Sequence, residues 1–237
     1  MSAANPSSDN RRWMRGDAVV TGATLAILLA WDASGLDLAA ARLFGDASGF
    51  AARHSPWAAS VLHDGARLAA WLLLAMLMVA ALRPAMPGRP PRAARGRWLA
   101  VTLAAVLAIP AIKRVSLTSC PWELAKFGGI AQHVSHWQWG VADGGPGHCF
   151  PSGHAVSAFA FLTMYFLWRP HDRRHARVWL AAVLGAGLLF GGAQLARGAH
   201  YPSHTLWTAW LCWALGVAAC HAFAWRAQVR GGSCLNG

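Results

Sequence analysis

Charge is what this chain has least of. Charged side chains make up 13% of its 237 residues, about half the share of an average soluble domain. Acids are scarcest, with nine Asp and Glu against 21 Lys and Arg. A carboxylate-built metal centre therefore has little to be made from. No internal repeat is present, which excludes a solenoid, and no low-complexity tract separates one region from another. No small-residue cleavage site follows the first apolar block, so that block reads as an uncleaved anchor rather than a secretory signal.

Apolar residues fill the space that charge leaves. They are 56% of the chain, and they fall in long blocks instead of amphipathic stripes. Six blocks approach the ~20 residues that a bilayer core requires, over residues 18–36, 63–82, 98–114, 153–168, 178–199 and 204–224. The expected fold is all-α, a six-transmembrane-helix bundle forming one domain over 18–224, with tails at 1–17 and 225–237. Net charge is +12, but its arginines gather between blocks, which argues for membrane orientation and against nucleic acid. Arg83, Arg89, Arg92, Arg95 and Arg97 lie between blocks two and three, Arg169, Arg173, Arg174 and Arg177 between four and five. With Arg226, Arg230 and the N-terminus they share one side if every block spans. By the positive-inside rule that side is cytoplasmic, and it holds both termini. The other side receives 37–62, the loop 115–152 and the turn 200–203. Trp57, Trp122, Trp137 and Trp139 suit an interfacial belt there, and Trp98, Trp168, Trp179 and Trp225 the opposite belt. Residues 39–57 suit a short interfacial helix.

Several polar residues sit where apolar ones are expected. Lys113 and Arg114 close the third block, where snorkelling to the interface is the plain explanation. Ser152, Gly153 and His154 open the fourth, where Ser152 reads either as a helix cap or as part of an anion site. Gln194, Arg197 and His200 close the fifth, and His204 opens the sixth. Arg197 falls on the arginine-poor side. Gln194, Arg197 and His200 step by three and would share a helical face. Tyr201-Pro202 would end that helix, and Ser203 would cap the next. All these groups come out at the outward end of the bundle. Cations, histidines and a helix N-terminus converging there point to a phosphate site.

The order of these segments resembles the type 2 phosphatidic acid phosphatase family, in the superfamily of bacterial acid phosphatases and vanadium haloperoxidases. The resemblance spans roughly residues 60 to 224. It rests on Lys113 and Pro121 of the first motif, Pro151-Ser152-Gly153-His154 of the second, and His200 of the third. Cys120 and Gln194 stand where the family has arginines, and His204 where it has aspartate. The resemblance implies a membrane lipid phosphatase with its site at the outward, periplasmic face of a bacterial inner membrane. It implies His200 as nucleophile and His154 as acid and base. His204 would orient His200. Lys113, Ser152, Gly153, Arg197 and Gln194 would hold phosphate, with Glu123, Arg114 or Asp143 as further support. No metal or cofactor is implied, and the partners are a phosphorylated lipid and the bilayer. Cys120 and Cys149 face an oxidising compartment in this arrangement, so a disulfide between them is expected; two free thiols are the alternative. Cys212, Cys220 and Cys234 carry no assigned chemistry. Other readings are a lipid-to-lipid phosphotransferase, a non-catalytic phospholipid binder, and a metal site among His133, His136, His148, His154, His200 and His204.

Overall fold

The structure, a computed structural model, describes residues 6–56, 64–84 and 87–232. Helix α1 (Pro6–Ser34) leads into a short α2 (Leu36–Arg42) and a hairpin of β1 (Gly45–Asp46) against β2 (Gly49–Phe50). Next come α3 (Gly65–Leu82), α4 (Arg92–Val115), α5 (Val156–Phe159), α6 (Thr163–Trp168), α7 (Arg173–Ala196) and α8 (Pro202–Gly232). Among the described residues α1, α3, α4, α7 and α8 hold stretches long and apolar enough to cross a membrane. The segment 6–17, read from sequence as a tail, is helical in α1, and α8 runs on past Arg226.

The fourth apolar block differs most from expectation. It is α5, a 3-10 turn at Ala160–Leu162, and α6 in succession. At about 1.5 Å per residue, Val156–Trp168 rises roughly 20 Å, short of a ~30 Å hydrocarbon core. Thr163 gives a local reason for the break. Its hydroxyl lies 3.1 Å from the Ala160 carbonyl and 2.6 Å from the Thr102 hydroxyl, and such back-bonding bends helices. Phe159, Phe161, Leu162, Met164 and Phe166 of this segment are all buried. Helices α3, α4, α7 and α8 close around them, as befits a helix that is apolar on every face. Glycines permit the approach: a Cβ on Gly187 of α7 would come 2.2 Å from the Phe159 ring.

Other expectations shift with the tertiary contacts. Helix α7 ends at Ala196, because Gly198 turns left-handed (φ 73°) and the Ala199 N–H closes on the Gln194 carbonyl at 2.8 Å. Tyr201-Pro202 is therefore not the stop; Pro202 begins α8, where its missing N–H costs nothing. Ser203 does not cap α8 either. It lies inside the first turn, its N–H donating to Asp37 Oδ1 at 3.0 Å and its hydroxyl to Asp37 Oδ2. A carboxylate from α2 thus caps α8, favoured by the helix dipole. Of the segment 39–57, residues 39–56 are described and hold the end of the short helix α2 and the hairpin, and Phe50 is buried against Phe127 at 4.8 Å. Trp98 is buried, stacked on Phe166 at 5.4 Å, instead of anchoring at an interface. Trp57 and Cys234 lie outside the described residues.

Candidate active site

Helices α4 and α7 finish, and α3 and α5 begin, around one cavity of about 480 Å³. Lys113 reaches it from the last turn of α4, and His154 from the turn that enters α5. Gln194 comes from the last turn of α7, and Arg197 and His200 from the turn after it. The three do not share a helical face, since α7 has stopped before Arg197; the Gly198 turn folds them to one place instead. That turn is held shut because the Gln194 carbonyl accepts from the Ala199 and His200 N–H groups at 2.8 and 3.3 Å.

The cavity is cationic. Lys113, Arg197 and Arg67 line it, and among the described residues no carboxylate does. A Cβ on Gly153 would lie 3.3 Å from Lys113 Cδ and 3.9 Å from Nζ, so the lysine lies along the Gly153 backbone. Gln194 is buried and its Nε2 has no hydrogen-bond partner. A buried donor left unpaired costs about 1–3 kcal/mol, which an anion in the cavity would relieve. The opposite wall is apolar, with Ala70, Trp71, Leu74, Val106 and Phe161.

His204 is fully buried behind His200 and does not line the cavity. The two Nδ1 atoms are 3.5 Å apart, at the long end of hydrogen-bond range. Ser152 is also buried and away from the cavity. Its hydroxyl accepts from the Ala155 N–H at 3.3 Å, its N–H donates to the His204 carbonyl at 3.0 Å, and its carbonyl accepts from Thr208 Oγ1 at 2.9 Å. It caps its own turn and ties that turn to α8. Cys120 and Cys149 are disulfide-bonded across a separation of 29 residues, and Cys120 lines the cavity. The Cys149 sulfur lies 3.4 Å from His200 Nδ1.

Glu123 does not reach the cavity; it pairs with Arg53 at 3.6 Å. Asp143 is buried as a loop clasp, accepting from the Ser119 N–H and hydroxyl at 2.6 and 2.8 Å. Arg114 is exposed and points elsewhere. Of the six histidines weighed as metal ligands, only His154 and His200 line the cavity. The one potential ligand cluster among the described residues is His200 with Cys120 and Cys149, whose sulfurs are bonded to each other. His133 lies in the loop, where burial first and Lys126 second push its pKa down.

Sequence reasoning missed Arg67, although an arginine at the outward end of the second block was a visible signal. It also missed the acids of α1 and α2. Asp32 Oδ2 accepts from Trp207 Nε1 at 2.8 Å and Trp137 Nε1 at 2.9 Å, and sits 3.2 Å from His136 Nε2. His136 in turn stacks on Phe150 at 4.0 Å and meets the His204 ring edge-on at 5.9 Å. Trp122, expected as an anchor, lines the cavity with Arg53 and Arg197 over its ring at 4.9 and 5.7 Å.

A family model described as the PAP2 superfamily matches residues 95–228, more than half of the chain. The chain belongs to the PAP2 superfamily. No curated protein and no solved structure matches it. PAP2 membership makes it a phosphatase acting on phosphate esters, and its long apolar helices are those of an integral membrane protein. The matched region carries Lys113, His154, Arg197 and His200, whereas Arg67 lies before it.

Proposed function

We propose that this PAP2 member is a lipid phosphatase that works through a phosphohistidine on His200, at the outward face of a bacterial inner membrane. The supporting observation is the single cavity in which His154 and His200 meet Lys113, Arg197 and Arg67. Its apolar wall between α3 and α4 suits a lipid tail beside a phosphate headgroup.

The chain crosses six times in this reading. Lys113 and Arg197 end α4 and α7 at the same cavity, so the chain has to return between them. The buried α5–α6 segment makes that return inside the bundle, where α3, α4, α7 and α8 shield it from lipid. The arginine-rich ends and both termini then lie on the cytoplasmic side.

His200 attacks phosphorus through Nε2, forming an N–P bond as the P–O bond to the lipid breaks. His154 donates a proton to the leaving oxygen, then takes one from the water that hydrolyses the N–P bond. His204 accepts a hydrogen bond from the His200 Nδ1–H, fixing the tautomer that leaves Nε2 as nucleophile. Lys113, Arg197, Arg67, the Gln194 amide and the Gly153 N–H hold the equatorial oxygens, where charge builds as the bond breaks. Arg67 and Arg197 supply the positive charge that Cys120 and Gln194 withhold from the motif positions. These roles call for no metal.

The test is phosphate release in detergent with a chelator, from a panel of phosphatidate-like lipids and polyprenyl diphosphates. Chelator-resistant release that His200→Ala and His154→Ala abolish supports the proposal. Binding without release in the unmodified protein identifies a non-catalytic relative. Transfer to an added acceptor lipid identifies a phosphotransferase, and activity lost to chelator alone identifies a metal enzyme.

A further inference from the structure

Two sulfurs stand against His200, and the roles above give them no chemistry. Cys120 Sγ, Cys149 Sγ and a ring nitrogen of His200 all lie within 4.8 Å of one another. Joined as a disulfide, the sulfurs are poor metal ligands, because a metal takes the thiolate. Cys120 lines the cavity, whereas Cys149 is fully buried and does not. A dithiol entering the cavity therefore meets the Cys120 sulfur first. Its thiolate bonds to that sulfur as Cys149 departs as a thiolate, and its second thiol then releases Cys120. The products are two cysteine thiols and the oxidised reductant.

Other bonds keep these three groups together once the sulfurs part. The His148 and Cys149 N–H groups donate to the Ser116 and Thr118 carbonyls at 2.8 and 2.9 Å, and the Gly147 N–H to Ser119 Oγ at 2.9 Å. The Trp122 N–H donates to the Gly198 carbonyl at 2.9 Å, which fastens the Cys120 segment to the turn that carries His200. Tetrahedral zinc holds sulfur at about 2.3 Å and imidazole nitrogen at about 2.0–2.1 Å. Those lengths put sulfur and nitrogen about 3.5 Å apart, and two sulfurs about 3.8 Å apart. Cys149 Sγ and His200 Nδ1 already stand 3.4 Å apart, so the Cys120 sulfur has only to swing aside.

We infer that the reduced protein binds zinc, or a divalent cation equally fond of sulfur, through Cys120 Sγ, Cys149 Sγ and His200 Nδ1. The donor set selects the metal. Two thiolates and an imidazole suit zinc, whereas magnesium and calcium want oxygen, and among the described residues no carboxylate lines the cavity. Binding releases both thiol protons to solvent. The two thiolates then cancel the charge of the cation, so the complex adds none beside Lys113, Arg197 and Arg67. The fourth position faces the cavity that Cys120 and His200 line, where water can fill it. A His200 ring bound through Nδ1 carries its proton on Nε2. It then has neither an Nδ1–H for His204 nor an Nε2 lone pair for phosphorus, so zinc turns the enzyme off. That consequence rests on the phosphohistidine reading; the metal site itself does not.

The experiment uses the full chain in detergent, reduced with a dithiol, freed of it, and kept under inert gas. Zn²⁺ is titrated against thermal unfolding, and Cd²⁺ against thiolate-to-metal charge-transfer absorption. The oxidised protein is the control, since it keeps every histidine and Cys212, Cys220 and Cys234. The reduced protein should take up one equivalent of either metal. Zinc should raise its Tm and leave that of the oxidised protein unchanged. His200→Ala should weaken uptake by more than the about 10–100-fold that even the outer partners of a ligand are worth. Phosphate release by the reduced protein should stop at one equivalent of zinc and return with chelator. Uptake with release undiminished would uphold the site and count against His200 as nucleophile, which separates the two failures. If reduction by itself unfolds the chain, reduction in excess zinc should leave it folded. Equal uptake by the oxidised protein, uptake unchanged in His200→Ala, or unfolding despite zinc would each overturn the inference.

Discussion

Adding one methyl group at Gly153 tests the placement of Lys113 without removing any charge. The alanine Cβ would stand 3.3 Å from Lys113 Cδ. Carbon pairs prefer 3.5–4.0 Å, so the lysine stem must yield by about 0.5 Å to reach the middle of that range. A 1 Å misplacement of a catalytic group costs on the order of 100-fold, so half of it should cost about tenfold in kcat/KM. Stability should hardly change. The atoms in the way belong to a flexible side chain, and Gly153 has no positive φ for alanine to resist. Loss of glycine entropy in the unfolded chain should even raise Tm slightly. The assay is kcat/KM on a phosphorylated lipid, with thermal unfolding of the same preparation. Gly192→Ala is the control, since a Cβ there meets nothing within 4 Å and the residue is exposed away from the cavity. If Gly153→Ala keeps kcat/KM within twofold of the unmodified protein, Lys113 does not hold the phosphate from its observed position. If activity and Tm fall together by a large margin, the glycine holds the fold of its turn rather than the approach of Lys113.

Three further outcomes follow from other contacts. Cys120→Ser or Cys149→Ser opens a closed loop with a 29-residue separation and should cost about 3–4 kcal/mol in the chain-entropy model; reductant should lower the Tm of the unmodified protein but not of the variants. Asp17→Ala leaves Arg169 buried without its carboxylate and should destabilise by about 3–5 kcal/mol, with much of the loss recovered in Asp17→Leu/Arg169→Met, as denaturant unfolding would read. Asp172 caps α7, and the His175 backbone N–H, then its ring, hold the carboxyl below its usual pKa. Because the folded value is the lower one, this stabilisation is present above the unfolded pKa and is lost as pH falls through the folded pKa. Asp172→Asn keeps a capping side chain, so the Tm gap between it and the unmodified protein should close below about pH 4; a gap unchanged from pH 7 to pH 3 would refute the assignment.

Periodic and compositional signals alone determined much of this protein. Long apolar runs require helices in a bilayer, since no other open structure satisfies the backbone there; α1, α3, α4, α7 and α8 follow from them. The motif residues Lys113, His154 and His200 were legible because their chemistry is costly in an apolar setting. What remained hidden was decided between segments far apart in the chain. Whether Ser152 faces a ligand or caps a turn depends on His204 and Thr208, which hold its backbone from α8. Arg67, Asp32 and Asp37 gain their meaning only when α1, α2 and α3 fold against residues over 100 positions later. The fourth block reads as an ordinary span in one dimension, yet its length is set by the glycines and threonines that let its neighbours close around it. Local sequence encodes what a backbone segment must do to bury itself; partners for a charge or a hydroxyl are supplied by packing, which no single segment contains.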